Sequence, residues 1–148
     1  MVNDIRLYQQ LAAKDSNMRL VDVEAMIPGI AKDIRYATVN NFTKQALYKQ
    51  ARVFLRLPVV KALLAVQQEL NRLGYGLKIF DGYRPYAATE KMWAIVPDDR
   101  YAANPANGSG HNRGAAVDLT IIHLKTKKKY KCPPVSMILP NGRTITTR

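Results

Sequence analysis

The chain has little cysteine, little histidine and, towards its end, no acid at all. Its single thiol, Cys132, excludes an intrachain disulfide framework and leaves no pair at zinc-ribbon spacing. No run approaches the roughly 18 apolar residues that a membrane helix needs, so no membrane span is expected. Met1 to Asp15 carries mixed charges and no apolar stretch of leader length. The expected compartment is therefore the cytoplasm, or the periplasm where a leader has been removed. The last glutamate is Glu90, the last acid of any kind is Asp118, and the only histidines are His111 and His123. Metal or acid-base chemistry must draw on that short inventory.

What is there is a basic chain of 148 residues with a net charge of +12. That length suggests one domain, able to bury roughly two-thirds of its unfolded surface. The charge is uneven. Residues 1–118 hold 16 Lys and Arg against 11 acids, and residues 119–148 hold 7 against none. More than half of the excess thus sits in the last fifth of the chain. With no helix-turn-helix pattern and no aromatic-basic platform, no nucleic-acid partner is expected. Nothing in the pattern sets an oligomeric state.

Met18 to Val23 alternates apolar and polar residues, as a half-buried strand does. Ile27-Pro28-Gly29 reads as a turn, Ile34 to Thr38 as short and extended, and Asn40 to Thr43 as loop. Leu57 to Leu73 is the clearest helix, with Pro58 in its first turn and Gly74 at its stop. Gly76 to Phe80 reads as a strand that runs into a loop, Asp81 to Pro85. Tyr86 to Ile95 suits a second helix, and Pro97 to Gly110 is loop. Val117 to Leu124, apolar and β-branched, predicts a central strand. The expected class is α+β, a small mixed or antiparallel sheet with flanking helices.

Two stretches carry chemistry. In Ser109-Gly110-His111-Asn112-Arg113-Gly114-Ala115-Ala116-Val117-Asp118, a histidine and a carboxylate stand seven apart at the mouth of a strand. Imidazole nitrogen and carboxylate oxygen both suit zinc, and Gly114 lets the chain bend between them. Spacing alone also fits a capped loop histidine and a strand-end aspartate. In Asp81-Gly82-Tyr83-Arg84-Pro85, an arginine held on a strand-exit loop can stabilise the negative charge of a tetrahedral intermediate. Taken alone, the stretch favours a surface arginine paired with Asp81.

Together the stretches match a known pattern. Ser109, His111, Gly114, Ala116 and Asp118 fill every fixed position of S-x-H-x-x-G-x-A-x-D, the zinc signature of the M15 peptidases. Leu73 to Leu77, Phe80 to Pro85, Arg35-Tyr36-Ala37-Thr38 and Asn40-Asn41-Phe42 resemble the D-alanyl-D-alanine dipeptidase branch, which includes the enzymes of vancomycin resistance. The resemblance covers roughly residues 18–124. It implies an M15 zinc peptidase-like fold and hydrolysis of D-Ala-D-Ala, a cell-wall dipeptide. It also implies Zn(2+) as cofactor, with His111 and Asp118 as ligands. Arg84 would then stabilise the transition state, and Ser109 and Tyr83 would line the substrate pocket.

The resemblance stops short of a complete site. The family takes its third ligand and general base from a downstream E-x-x-H motif, and this sequence contains none. His123 lies an odd number of strand residues from Asp118, which directs the two to opposite faces. Nothing in the spacing of Cys132 supports a ligand role. The expectation is therefore an incomplete dipeptidase-like domain at residues 1–124 and a basic, non-native or disordered tail at 125–148. The alternative function is an inactive remnant that binds zinc weakly or not at all. The tail suggests how this arose. Lys131 to Arg148 can be written in codons that, read two bases later, give M-P-T-G-F-D-D-F-T-E-R-A-H-H-H-Y-P, which resembles the family's next segment. A frameshift near the Lys127-Lys128-Lys129 run is the reading this suggests. The gene's own bases test it: if no other frame encodes that segment, the frameshift is excluded.

Overall fold

The computed structural model describes residues 4–130, together with the backbone of two short strands at 136–138 and 144–146. Helix α1 (Ile5–Lys14) starts on Asp4, whose carboxylate accepts the Arg6 amide at 2.8 Å. None of its residues is buried, and Tyr8 ties it to the body by accepting the Leu20 amide. Strand β1 (Leu20–Asp22) is shorter than the alternation from Met18 to Val23 predicts. Asp22 ends it by capping the one-turn helix α2 (Val23–Met26) through the Glu24 amide.

The remaining described α-helices and strands are β2 (Ala31–Lys32), β3 (Phe54–Arg56), α3 (Leu57–Arg72), β4 (Tyr75–Asp81), α4 (Tyr86–Ile95), β5 (Asp118–His123), β6 (Ser136–Ile138) and β7 (Thr144–Thr146). β1 pairs antiparallel with β3, and β6 with β7. The principal sheet runs β2-β4-β5, with β2 parallel and β5 antiparallel to β4. The α+β class with small sheets and flanking helices is thus observed.

Helix α3 carries the expected Pro58 in its first turn, and Gly74 takes the left-handed φ of +79° that ends it. Its inner face presents Val60 and Leu63 to a core that also holds Val23, Ile27, Val53, Leu55, Leu77 and Ile79. Gln67 shares that face because its Oε1 accepts the Leu77 amide at 2.8 Å, so its buried amide is not left unpaired.

Three expectations change. Residues 34–38 are not extended: Arg35–Ala37 form a 3₁₀ turn, closed by the Ala37 and Thr38 amides on the Ile34 and Arg35 carbonyls. β5 is the outer strand of its sheet among the described residues, not a central one. The basic run from Lys125, expected to begin a non-native or disordered tail, is exposed over 125–130 but turns back along β5. There the His123 amide donates to Lys128 and the Tyr130 amide to Ile121. Beyond Tyr130 the expected disordered tail, Cys132 included, lies outside the described residues apart from the backbone of β6 and β7.

One irregularity in the sheet matters most. Ile79 faces Leu119, yet the next pair is Asp81 with Asp118. β4 thus carries one extra residue, a β-bulge, which re-aims the side chain that follows it. The bulge sets Asp81 beside Asp118 where both strands meet the loops.

Candidate metal centre

Asp81 is 1% exposed and Arg84 5%. Arg84 is therefore not a surface residue, although it does pair with Asp81. Its Nη2 and Nε donate to Asp81 Oδ2 at 2.6 and 3.2 Å. The other carboxylate oxygen, Oδ1, accepts the Tyr48 hydroxyl at 2.8 Å and the Gly82 amide at 2.9 Å. Burial works against the Arg84 cation, but the neighbouring Asp81 carboxylate outweighs it and raises the pKa above its ordinary value. Burial, reinforced by the Asp81 charge, pushes the Tyr48 hydroxyl far up, so it remains a donor.

The loop between β4 and α4 is pinned on both sides. The Tyr83 amide donates to Phe54, and the Arg84 amide donates to the His111 carbonyl at 3.1 Å. Gly82 must stay small: a Cβ there would lie 2.7 Å from Val53 Cγ1 and 3.0 Å from the Phe54 carbonyl oxygen.

The second loop is organised by Asn112, which sequence reasoning passed over. Its Oδ1 accepts the Ser109 amide and hydroxyl, both at 3.0 Å. Its Nδ2 donates to the Arg84 carbonyl at 2.9 Å and to Thr89 Oγ1 at 2.8 Å. Asn112 thus joins the two motif loops to α4. An asparagine within the Ser109–Asp118 stretch was the available signal, though two of its partners, Arg84 and Thr89, lie far away in sequence. Gly114, at φ +65°, then turns the chain so that its carbonyl accepts the Arg56 amide.

These constraints bring His111 to Asp118. His111 Nδ1 lies 2.9 Å from the Gly82 carbonyl, which can only accept, so Nδ1 carries the proton. In the neutral ring that leaves Nε2 to offer its lone pair, 3.7 Å from Asp118 Oδ1. Both atoms are free to meet one cation. A backbone carbonyl fixing the far nitrogen is the usual support of a metal-binding histidine. Asp81 completes a set of three side chains whose ligand atoms lie within 4.8 Å of one another. Its oxygens already accept four hydrogen bonds, however, so it would have to give some up to bind a metal.

Gly82→Ala should disturb this support. The Phe54 carbonyl cannot yield as a side-chain end can, so the Gly82 backbone is expected to shift and with it the carbonyl that holds His111. We expect zinc affinity to fall about tenfold, at the lower end of losses seen for outer-shell partners. Competition with a chromogenic chelator measures it. An unchanged affinity would show that this carbonyl does not set the imidazole.

A groove of about 520 Å³ opens beside the site, lined by Tyr36, Phe42, Phe80, Asp81, Asp118 and Lys129 among others. Ser109 is hydrogen bonded to Asn112. Tyr83 points elsewhere, into a separate groove of about 660 Å³ shared with Tyr8 and Leu11 of α1. Burial, with the Tyr8 hydroxyl nearby, raises its pKa. His123 stands at the other end of β5 from Asp118, opposite Tyr75, with Nδ1 buried and without a partner among the described residues.

The α+β domain thus joins a fixed histidine, a facing aspartate and a buried arginine beside a groove, a set that could hold a metal ion. Comparison with known proteins gives the family. The model of the M15 peptidases, described as D-ala-D-ala dipeptidase, matches residues 16–131. The chain is 36% identical over 102 residues to a D-alanyl-D-alanine dipeptidase of Escherichia coli (strain K12), covering 69% of this chain and 53% of that protein. It is 35% identical over 124 residues to one of Enterococcus faecalis (strain ATCC 700802 / V583), covering 70% and 61%. It is 36% identical over 124 residues to one of Streptomyces coelicolor, with the same coverage. The chain belongs to the M15 peptidase family of D-Ala-D-Ala dipeptidases. It spans little more than half to about three-fifths of the length of these relatives.

Proposed function

We propose that the site of this chain is that of a zinc dipeptidase for D-alanyl-D-alanine. The supporting observation is the pair His111 Nε2 and Asp118 Oδ1, 3.7 Å apart on signature residues and free of other described partners. A nitrogen and an oxygen donor at that separation fit zinc, which when bound polarises a carbonyl and acidifies water. His111 and Asp118 would hold the ion. Arg84, kept cationic by Asp81, supplies positive charge for the oxyanion that forms as the peptide bond is attacked. The groove beside Asp118 takes the dipeptide. Ser109 enters as a pocket residue on the resemblance alone, and so does Tyr83, although Tyr83 lines the separate groove beside α1. Cell-wall peptide metabolism, or removal of the vancomycin target, would follow from that substrate.

The second reading is a non-catalytic remnant. It is favoured by the engagement of all four acceptor positions of Asp81, which leaves His111 and Asp118 as the uncommitted members of the cluster among the described residues. A catalytic zinc needs three protein ligands and a base for its water. The distinguishing experiment is D-Ala release from D-Ala-D-Ala by the purified chain with zinc added. Release above the zinc-only blank means that the chain supplies a substitute ligand and base. No release from a folded, zinc-binding chain supports the remnant.

A further inference from the structure

Tyr48 belongs to no motif and no regular element, yet it contacts the site directly. It lies in the segment between the 3₁₀ turn at Arg35–Ala37 and β3. Its amide donates to the Tyr36 carbonyl at 2.9 Å, and its ring meets the Tyr36 ring edge-on at 5.9 Å. Its hydroxyl reaches 33 residues along the chain to Asp81 Oδ1. The Arg84 guanidinium in turn lies 5.5 Å from the Tyr36 ring centroid. The arginine is thus held between the Asp81 carboxylate and an aromatic ring, and both supports are tied to Tyr48.

The consequence follows from counting acceptors. Oδ2 of Asp81 takes both guanidinium bonds, and Oδ1 takes Tyr48 and the Gly82 amide. Remove the phenol and Oδ1 keeps one bond, to the next residue in the chain. The carboxylate can then rotate. Rotation moves Oδ2, and the guanidinium with it. It also frees an oxygen beside His111 Nδ1, which is already 3.9 Å from Oδ2 and bonded to Gly82.

We propose that Tyr48 is a positioning residue of this site. Through Asp81 it aims Arg84, and it keeps the Asp81 carboxylate from competing for the imidazole or joining the metal. The role assigned to Arg84 rests on the dipeptidase reading above. The hydrogen bonding that fixes the guanidinium does not.

The test is Tyr48→Phe, which keeps the ring and removes only the hydroxyl. Two measurements separate the claims. The first is exchange of the Arg84 Nε–H with water, followed by ¹⁵N NMR in the variant and the parent. The second is calorimetric binding, to the zinc-loaded chain, of D-Ala-D-Ala and of its phosphinate analogue, which mimics the charged tetrahedral state. We expect faster Nε–H exchange, dipeptide binding within about twofold, and analogue binding weaker by roughly tenfold, the scale of an outer-shell loss. Arg84→Lys should show the same selective loss, since an ammonium cannot reproduce the fork on Asp81. Unchanged exchange in Tyr48→Phe overturns the proposal, as does an equal loss for both ligands, which a general loosening would give. A parent chain that binds neither ligand sinks the dipeptidase reading, and Nε–H exchange still decides whether Tyr48 positions Arg84.

Discussion

Asp81→Ala is expected to be the most damaging single change to the fold, costing about 3–5 kcal/mol because it strands a buried charge. For a chain of this size that corresponds to a fall in Tm of roughly 10 °C. Arg84 is almost fully buried, and a guanidinium cannot escape by losing its proton. Tyr48 and the Gly82 amide would lose their acceptor in the same step. Urea or thermal unfolding followed by circular dichroism measures the loss. A double variant, Asp81→Leu with Arg84→Met, supplies the contrast. Apolar replacement of a whole buried pair is often neutral, so it should recover most of the stability while abolishing the charge beside the site. A loss below about 1 kcal/mol in Asp81→Ala, the range of an exposed ion pair, would mean that water reaches the pair.

That prediction depends on a partner set that no local pattern discloses. The loops were legible. Gly82, Pro85 and Gly114 mark turns whatever surrounds them, and His111 and Asp118 are ligand types at a strand mouth. Helix α3 was legible too, because sixteen residues are enough for one apolar face to repeat. β2 and β3 were not, since two or three residues cannot display an alternation. α1 escaped notice although Ile5, Tyr8 and Leu11 recur at helical spacing, since ten residues show that face only briefly and none of them is fully buried. The burial of Arg84 against Asp81 was not legible for a similar reason. The motif shows the i, i+3 spacing but not the bulge that turns Asp81 inward, nor the Tyr48 hydroxyl that arrives from a distant segment. Strand parity did separate His123 from Asp118, because side-chain alternation is a purely local rule.

His111→Ala is expected to have the largest effect on metal binding, lowering zinc affinity by at least about 100-fold, beyond the losses typical of outer-shell changes. With Nε2 gone, Asp118 stands as the remaining uncommitted ligand atom among the described residues, and one exposed carboxylate holds zinc poorly. Asp118→Asn should approach the same loss, since an amide oxygen is neutral. His123→Ala should change nothing, because that imidazole lies at the opposite end of β5. Asp81→Asn distinguishes the two possible structures of the centre. If Asp81 is only the anchor of Arg84, affinity falls modestly and in parallel with stability. If it leaves Arg84 to serve as the third ligand, affinity falls as far as in His111→Ala. Chelator competition on all four variants, with their melts alongside, reads these outcomes together. An His111→Ala chain that binds zinc as tightly as the parent would place the metal elsewhere, and the signature from Ser109 to Asp118 would then not be its site.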